Sequence, residues 1–362
     1  MRTITNQVLL LLLLFLTSPI LFGSTHPNVD NNSLVDKLNL IFSKQKVDQP
    51  GISVLVRQDD KIIFELSKGL ANKHKNHSIN SNTGFRIGSI SKPFTALAIM
   101  KLVEQKKLSL DESVTKFVPE LPSSWKGITI KHLLAHQVYL SNDFFSNSNL
   151  NIANLSTNQD LVKFLSSKDI IVKPLSFDQA IYCNSCYVLL AEVVAKSSGG
   201  RFADYLNENI FVPANMKDTY IVEQGIPLKA HDALNYADTE SFSGIIQYTT
   251  GAMAQVSSIE DLNNFIIALK QNKIVKQATL SLMTRIHSDL GNDGTFGLGW
   301  IIGWGEAPFF SHGGAQDSYQ SELLLYPKYN LEVAILTNGG DNTYDLQAQI
   351  MRAIITHYTR ST

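Results

Sequence analysis

Ser89 and Lys92 stand three residues apart in the stretch GFRIGSISKPF (84–94), and Pro93 follows at once. A serine hydroxyl becomes a useful nucleophile only beside a base. A lysine amine is such a base only in its neutral form, far from its ordinary pKa of about 10.4. The spacing alone is weak evidence. Ser43 to Lys46, Ser113 to Lys116 and Ser123 to Lys126 share it. Two later stretches carry side chains able to complete a site. Tyr182-Cys183-Asn184 precedes the apolar run YVLLAEVVAKSSGG, and His312-Gly313-Gly314 lies between two β-rich runs.

The elements that would position these residues choose among the serines. FTALAIMKLVEQKK (94–107) is strongly helical, and a proline fits the first turn of a helix. Ser89 and Lys92 therefore fall at a helix start, where i and i+3 share a face and free N–H groups meet negative charge. Ser43 falls in an amphipathic helix predicted over 32–48. Ser113 and Ser123 fall in a polar, proline-containing connection. GISVLVRQDDKIIFELSKGLAN reads as a hairpin turning at Gln58-Asp59-Asp60. Residues from about 130 to 285 read mainly as helices. Strands return from Gly297, and a helix over 343–359 closes the chain. The expected fold is α/β of the α+β type. An antiparallel sheet is built from both chain ends and flanked by terminal helices, with a mainly helical subdomain (about 130–285) inserted.

Composition bounds the rest. The 362 residues carry a net charge of −1, with 44% hydrophobic and 17% charged side chains. This suits a large globular core and offers no cationic patch for nucleic acid. Arg2 precedes an apolar run, Val8–Leu16, and small residues follow it. Residues 1–25 therefore read as a secretory signal, leaving 26–362 as one domain. Export to the periplasm or medium follows, with membrane attachment only if that segment is uncleaved. Cys183 and Cys186 are the only cysteines. Their spacing permits a disulfide that would clamp the loop holding Asn184.

Ser89-x-x-Lys92, Tyr182-x-Asn184 and His312-x-Gly314, in this order and with these flanks, resemble the serine β-lactamase and penicillin-binding protein superfamily. The branch they resemble holds class C β-lactamases, D,D-peptidases, D-aminopeptidases and related esterases. The likeness covers roughly residues 32–357. It implies that Ser89 is acylated, Lys92 is the base and Tyr182 shares the proton transfer. Asn184 would hold Lys92 and a substrate amide, and His312 would line the cleft. The backbone N–H groups of Ser89 and Ala315, just beyond Gly314, would stabilise the oxyanion. Taken singly, Ser89 reads as a helix cap, Tyr182 as a core tyrosine and His312 as an interior histidine. Their joint order carries the catalytic reading.

The implied activity is hydrolysis of an amide or ester, in the manner of a D,D-peptidase, D-aminopeptidase or esterase. The alternatives are a true class C-type β-lactamase, or a slow-turnover penicillin- or cell-wall-binding protein. The substrate would be a small molecule or peptide. Neither Lys92 nor Tyr182 is a base at neutral pH unaided, so one of the two needs a depressed pKa. Gly313 and Gly314 are expected to let the strand edge approach substrate. His312 replaces a permanent lysine cation found in some relatives, so carboxylate-bearing β-lactams should be poor substrates. An ordinary imidazole gains its proton near pH 6.5, which predicts better use of anionic substrates toward pH 6. His132 and His136 have a zinc-protease spacing, but HLLAH lacks the glutamate, so no metal and no cofactor is expected. HQVYL (136–140) replaces the family's common His-Thr-Ser-Gly-Leu loop, and TTGAM (249–253) stands for its glycine-rich segment.

Overall fold

The hairpin signal at Asp59-Asp60 is realised by two successive left-handed residues, with φ of 50° and 63°. Such a pair gives the turn that matches strand twist. It joins β1 (Ile52–Gln58) to β2 (Lys61–Lys68). The computed structural model describes residues 30–141, 157–167, 169–226, 228–236, 248–304 and 307–359. The signal-like stretch 1–25 lies outside them.

Six strands from the C-terminal part complete an eight-stranded sheet. They are β3 (Ser288–Asp289), β4 (Thr295–Phe296), β5 (Ile301–Trp304), β6 (Pro308–Gln316), β7 (Tyr319–Tyr326) and β8 (Leu331–Thr337). The order is β3-β4-β5-β6-β7-β8-β1-β2, antiparallel throughout. β1 pairs with β8 in the register Ile52↔Thr337, so the two chain ends meet in mid-sheet. Every residue of β1 and β8 is buried, as a central strand covered on both faces requires.

Alternation sorts the two faces. Ile52, Val54, Val56, Val333 and Ile335 pack with the terminal helices α1 (Asn32–Ser43) and α5 (Asp341–Thr359). Leu55, Ala334 and Leu336 face a second core with α2 (Ser91–Glu104), α3 (Asn184–Ser198) and α4 (Ile259–Lys270). Eleven of the fourteen residues of α2 are buried, which its all-round apolar sequence demands. α1 stops at Ser43, short of the 48 expected, because the chain must turn back to enter β1 at Ile52. β3 and β4 have two residues each, too few for a period-two pattern to reveal them. Between about 130 and 285, short strands join the helices. In one three-stranded sheet Gln255–Ser257 pairs with Tyr220–Ile221 on one side and with Phe85–Arg86 on the other.

Candidate active site

The chain reaches Ser89 from Phe85–Arg86 through a 3-10 turn, Gly88–Ile90, that runs directly into α2. In a 3-10 turn residues i and i+3 eclipse. Lys92 Nζ accordingly lies 2.8 Å from Ser89 Oγ. The amine also donates to the Ala252 carbonyl, at 3.1 Å. Lys92 is fully buried, and no carboxylate pairs with it among the described residues. Burial therefore holds its pKa well below the ordinary value. The other three serines lack this setting. Ser43 bonds its own helix at Leu40, Ser113 caps a short turn, and Ser123 lies in the 3-10 turn Ser123–Gly127.

The carbonyl that grips Lys92 comes from TTGAM. Gly251 has φ of 93°, and a Cβ there would sit 2.3 Å from the Tyr187 carbonyl, so glycine alone fits. The Gly251 carbonyl accepts from Thr95 Oγ1 at 2.7 Å. Asn158 holds the segment from behind, bonding Thr250 N–H at 2.8 Å and Thr250 Oγ1 at 2.9 Å. Neither Ala252 nor Asn158 was predicted. A main-chain acceptor leaves no residue-type signal.

Tyr182 precedes α3, with Cys183 as the helix N-cap. Its hydroxyl hydrogen-bonds Ser89, and Lys92 Nζ lies 4.8 Å from its ring centre. Burial raises the Tyr182 pKa, so the phenol stays protonated. Of the two groups whose pKa could have been depressed to supply a base, Tyr182 is therefore not the one, since desolvation raises it. Cys183 and Cys186 form a disulfide across the first turn of α3. Asn184 is the first residue of α3, and its Oδ1 has no hydrogen-bond partner among the described residues. The expectation that Asn184 holds Lys92 is not met, because the amine's bonds go to Ser89 and Ala252.

The third wall is β6. β5 pairs only with Pro308–Ser311, so β5 leaves the edge from His312 to Gln316 unpaired. Gly314 explains itself differently from the expectation. A Cβ there would lie 2.0 Å from the Ile87 carbonyl and 2.4 Å from Ser321 Oγ. The glycine admits the Ile87 backbone rather than a substrate. Gly88, with φ of 49°, would place a Cβ 2.8 Å from the Ala315 nitrogen. The Ser89 turn and Ala315 are thus pressed together by backbone contact. Ser89 is the second residue of its 3-10 turn, so its N–H has no partner within that turn. Ala315 is exposed.

His312 is 1% exposed, with Tyr182 and Phe296 rings 6.3 and 5.9 Å away. Its Nδ1 lies 2.7 Å from the Gly313 carbonyl, which can only accept, so Nδ1 carries the proton. Nε2 is then a buried lone pair without a partner among the described residues. Burial, then the nearby Lys92, lowers the His312 pKa to about 3. This overturns the expected protonation between pH 8 and 6. His136, weighed only as a zinc ligand, lies inside the site instead. It is fully buried and stacks on Tyr182 at 4.6 Å. No cluster of metal-ligating side chains occurs among the described residues.

Comparison with known proteins agrees with this geometry. The Beta-lactamase family model matches residues 42–356. Penicillin-binding protein 4* of Bacillus subtilis (strain 168) is 27% identical over 323 residues. These are 83% of this chain and 71% of that protein. The octameric penicillin-binding protein homologue from Pyrococcus abyssi superposes with a TM-score of 0.74 at 25% identity, covering 90% of this chain and 76% of that one. The D-amino acid amidase from Ochrobactrum anthropi SV3 shares the fold, with a TM-score of 0.75 at 23% identity over 90% and 99% of the two chains.

Proposed function

The chain belongs to the Beta-lactamase family and is a serine hydrolase of that family, and from this premise we propose that it is exported and cleaves amide or ester bonds through an acyl-enzyme on Ser89. One observation carries the assignment: a buried amine, without a counter-ion among the described residues, 2.8 Å from the serine oxygen. An ammonium has three donors and no acceptor. A free amine can donate to Ala252 and receive the Ser89 proton. Ser89 Oγ then attacks the substrate carbonyl, and the N–H groups of Ser89 and Ala315 meet the oxyanion. Tyr182, protonated and bonded to Ser89, passes a proton to the leaving group as Lys92 resupplies it. The leaving group departs, and water repeats the sequence to release the acid. Asn184 Oδ1 is buried without a partner among the described residues, so it would meet a substrate N–H only as the substrate opens a way to it.

The substrate reading favours amides and uncharged esters over carboxylate-bearing β-lactams. His312 is neutral at every working pH, so β6 presents no cation at that position. A fold shared with a D-amino acid amidase supports the amide side of this choice. Ser89→Ala is expected to abolish covalent labelling by a fluorophosphonate or fluorescent penicillin. Ser43→Ala, Ser113→Ala and Ser123→Ala should label normally. Label on a peptide lacking Ser89 would sink the assignment. Labelling without turnover would favour the slow penicillin-binding alternative, and rapid cephalosporin turnover the β-lactamase one. Export predicts a mature N-terminus near residues 24–26. A full-length chain retained in the cytoplasm would refute it.

A further inference from the structure

We propose that His136 is a positioning residue for Tyr182, the cradle that fixes where the phenol hydroxyl meets Ser89. The inference rests on the reading that Tyr182 takes part in proton transfer. Three contacts from His136 converge on one tripeptide. Its carbonyl accepts the Ile181 N–H at 3.0 Å. Its Nδ1 accepts the Cys183 N–H at 2.9 Å. Its ring stacks on the Tyr182 ring at 4.6 Å between centres and 21° between planes. The residues before and after the tyrosine are therefore tied to the same histidine that faces the tyrosine itself.

The local backbone makes this arrangement possible. His136 has φ of 58°, a left-handed conformation that histidine enters more readily than most side chains. The short helix Ile130–Leu134 ends just before it. The far sides of the ring are closed as well. Phe296 meets it edge-on at 4.6 Å, and Tyr187 lies at 5.1 Å. Because Nδ1 accepts from a backbone N–H, the ring is neutral in this tautomer. Burial, with Lys92 and His312 nearby, keeps its pKa well below the ordinary value. Its one proton sits on Nε2, away from Cys183, so toward residues 181–183 it acts by geometry. An ordinary core histidine needs one partner for one nitrogen. His136 spends its carbonyl, its nitrogen and its ring face on residues 181–183.

Two substitutions separate the ring from the acceptor. His136→Phe keeps a stacking ring and leaves the Cys183 N–H without its acceptor. His136→Asn keeps an acceptor at a similar reach and removes the ring. With each variant's fold checked by circular dichroism and thermal melting, kcat on a nitrophenyl ester should fall about 10- to 100-fold, with KM changed less than about threefold. His136→Asn should recover part of the loss seen in His136→Phe.

The decisive measurement repeats the substitutions in a Tyr182→Phe background. A residue acting through Tyr182 should then cost less than about threefold in kcat. The same full loss in both backgrounds would overturn the inference and leave Tyr182's role intact. An unaffected kcat in folded His136→Phe would overturn it too. If Tyr182→Phe alone leaves kcat unchanged, the proton-transfer reading of Tyr182 fails and the inference falls with it. If His136→Phe does not fold, the His136→Asn pair decides by the same comparison.

Discussion

Replacing Lys92 by methionine should remove activity and change how stability depends on pH, and the two effects test one claim. Methionine keeps most of the side-chain stem and has no base. General-base catalysis contributes about 10²- to 10⁴-fold, so acylation should fall by roughly 10³. The stability effect follows from the amine's burial. Lys92 is fully enclosed, with a pKa well below its ordinary value. In the unfolded chain the lysine titrates near 10.4. Below that pH the unfolded state holds a proton that the folded state lacks. Stability then rises with pH, by about 1.4 kcal/mol per unit, between the depressed folded pKa and about 10.4. Methionine has no proton to bind, so its variant lacks this slope. The difference in unfolding free energy, wild type minus variant, should therefore climb with pH wherever the folded amine is deprotonated and the unfolded one is not, at up to about 1.4 kcal/mol per unit. Its absolute value at one pH is less informative. The variant escapes the deprotonation penalty but leaves the Ala252 carbonyl without its donor, a loss of about 1–3 kcal/mol. Urea unfolding of both proteins at several pH values, with the disulfide intact, reads the slope. A flat difference would mean that folded Lys92 is an ammonium throughout, and an ammonium cannot take the Ser89 proton.

The ratio of kcat/KM for a chromogenic cephalosporin to that for a short-chain nitrophenyl ester should stay flat from pH 8 to 6. Lys92 protonation affects both substrates alike, and His312, at about 3, does not titrate there; a ratio rising more than about threefold on acidification would show that it does. Exported protein should yield no alkylated thiol without reductant and two after unfolding with it, since Cys183 and Cys186 are paired and buried. Replacing both by serine should lower stability by about 2 kcal/mol, because a ring of four residues restrains little of the unfolded chain; a much larger loss would assign the bridge a global rather than local role.

What the sequence disclosed was local. Pro93 inside an apolar run marked the start of α2, and Asp59-Asp60 marked a hairpin turn, because those signals depend on neighbours in the chain. The strands from β5 onward declared themselves as apolar, β-rich runs, as strands such as β8, covered on both faces, require. The motif residues Ser89, Lys92, Tyr182 and His312 do converge on one place, linked by the Ser89–Lys92 and Ser89–Tyr182 contacts and by the Tyr182–His312 approach. Residues 84–94 could not disclose what surrounds them. The partner of Lys92 is a main-chain carbonyl 160 residues away. His136 matters through a left-handed backbone and a ring stack, neither of which residue type announces. The charge states were misjudged for the same reason. The histidine was assigned the titration of an ordinary imidazole, and burial lowers its pKa, as it raises that of the tyrosine.

Burial as the means of activating Lys92 has a structural consequence. An enzyme that lowered this pKa with a neighbouring cation could leave the lysine near solvent. Here desolvation is the cause, so the site works only while the lid over Lys92 stays closed. That lid is made of backbone: the Ala252 carbonyl on one side and the 3-10 turn of Ser89 on the other. Both are held by contacts that forbid a side chain. Gly251 sits against the Tyr187 carbonyl, Gly88 against Ala315, and Gly314 against Ile87. Ser321 Oγ donates to the Ile87 carbonyl at 2.8 Å, and Ser91 Oγ to the Gly88 carbonyl at 2.7 Å, which ties the turn to both β7 and α2. The contacts that exclude water from the lysine are thus the ones that bring the Ser89 and Ala315 backbones together. The base and the oxyanion site are products of one packing arrangement, and loosening any of its glycine crossings should weaken both at once.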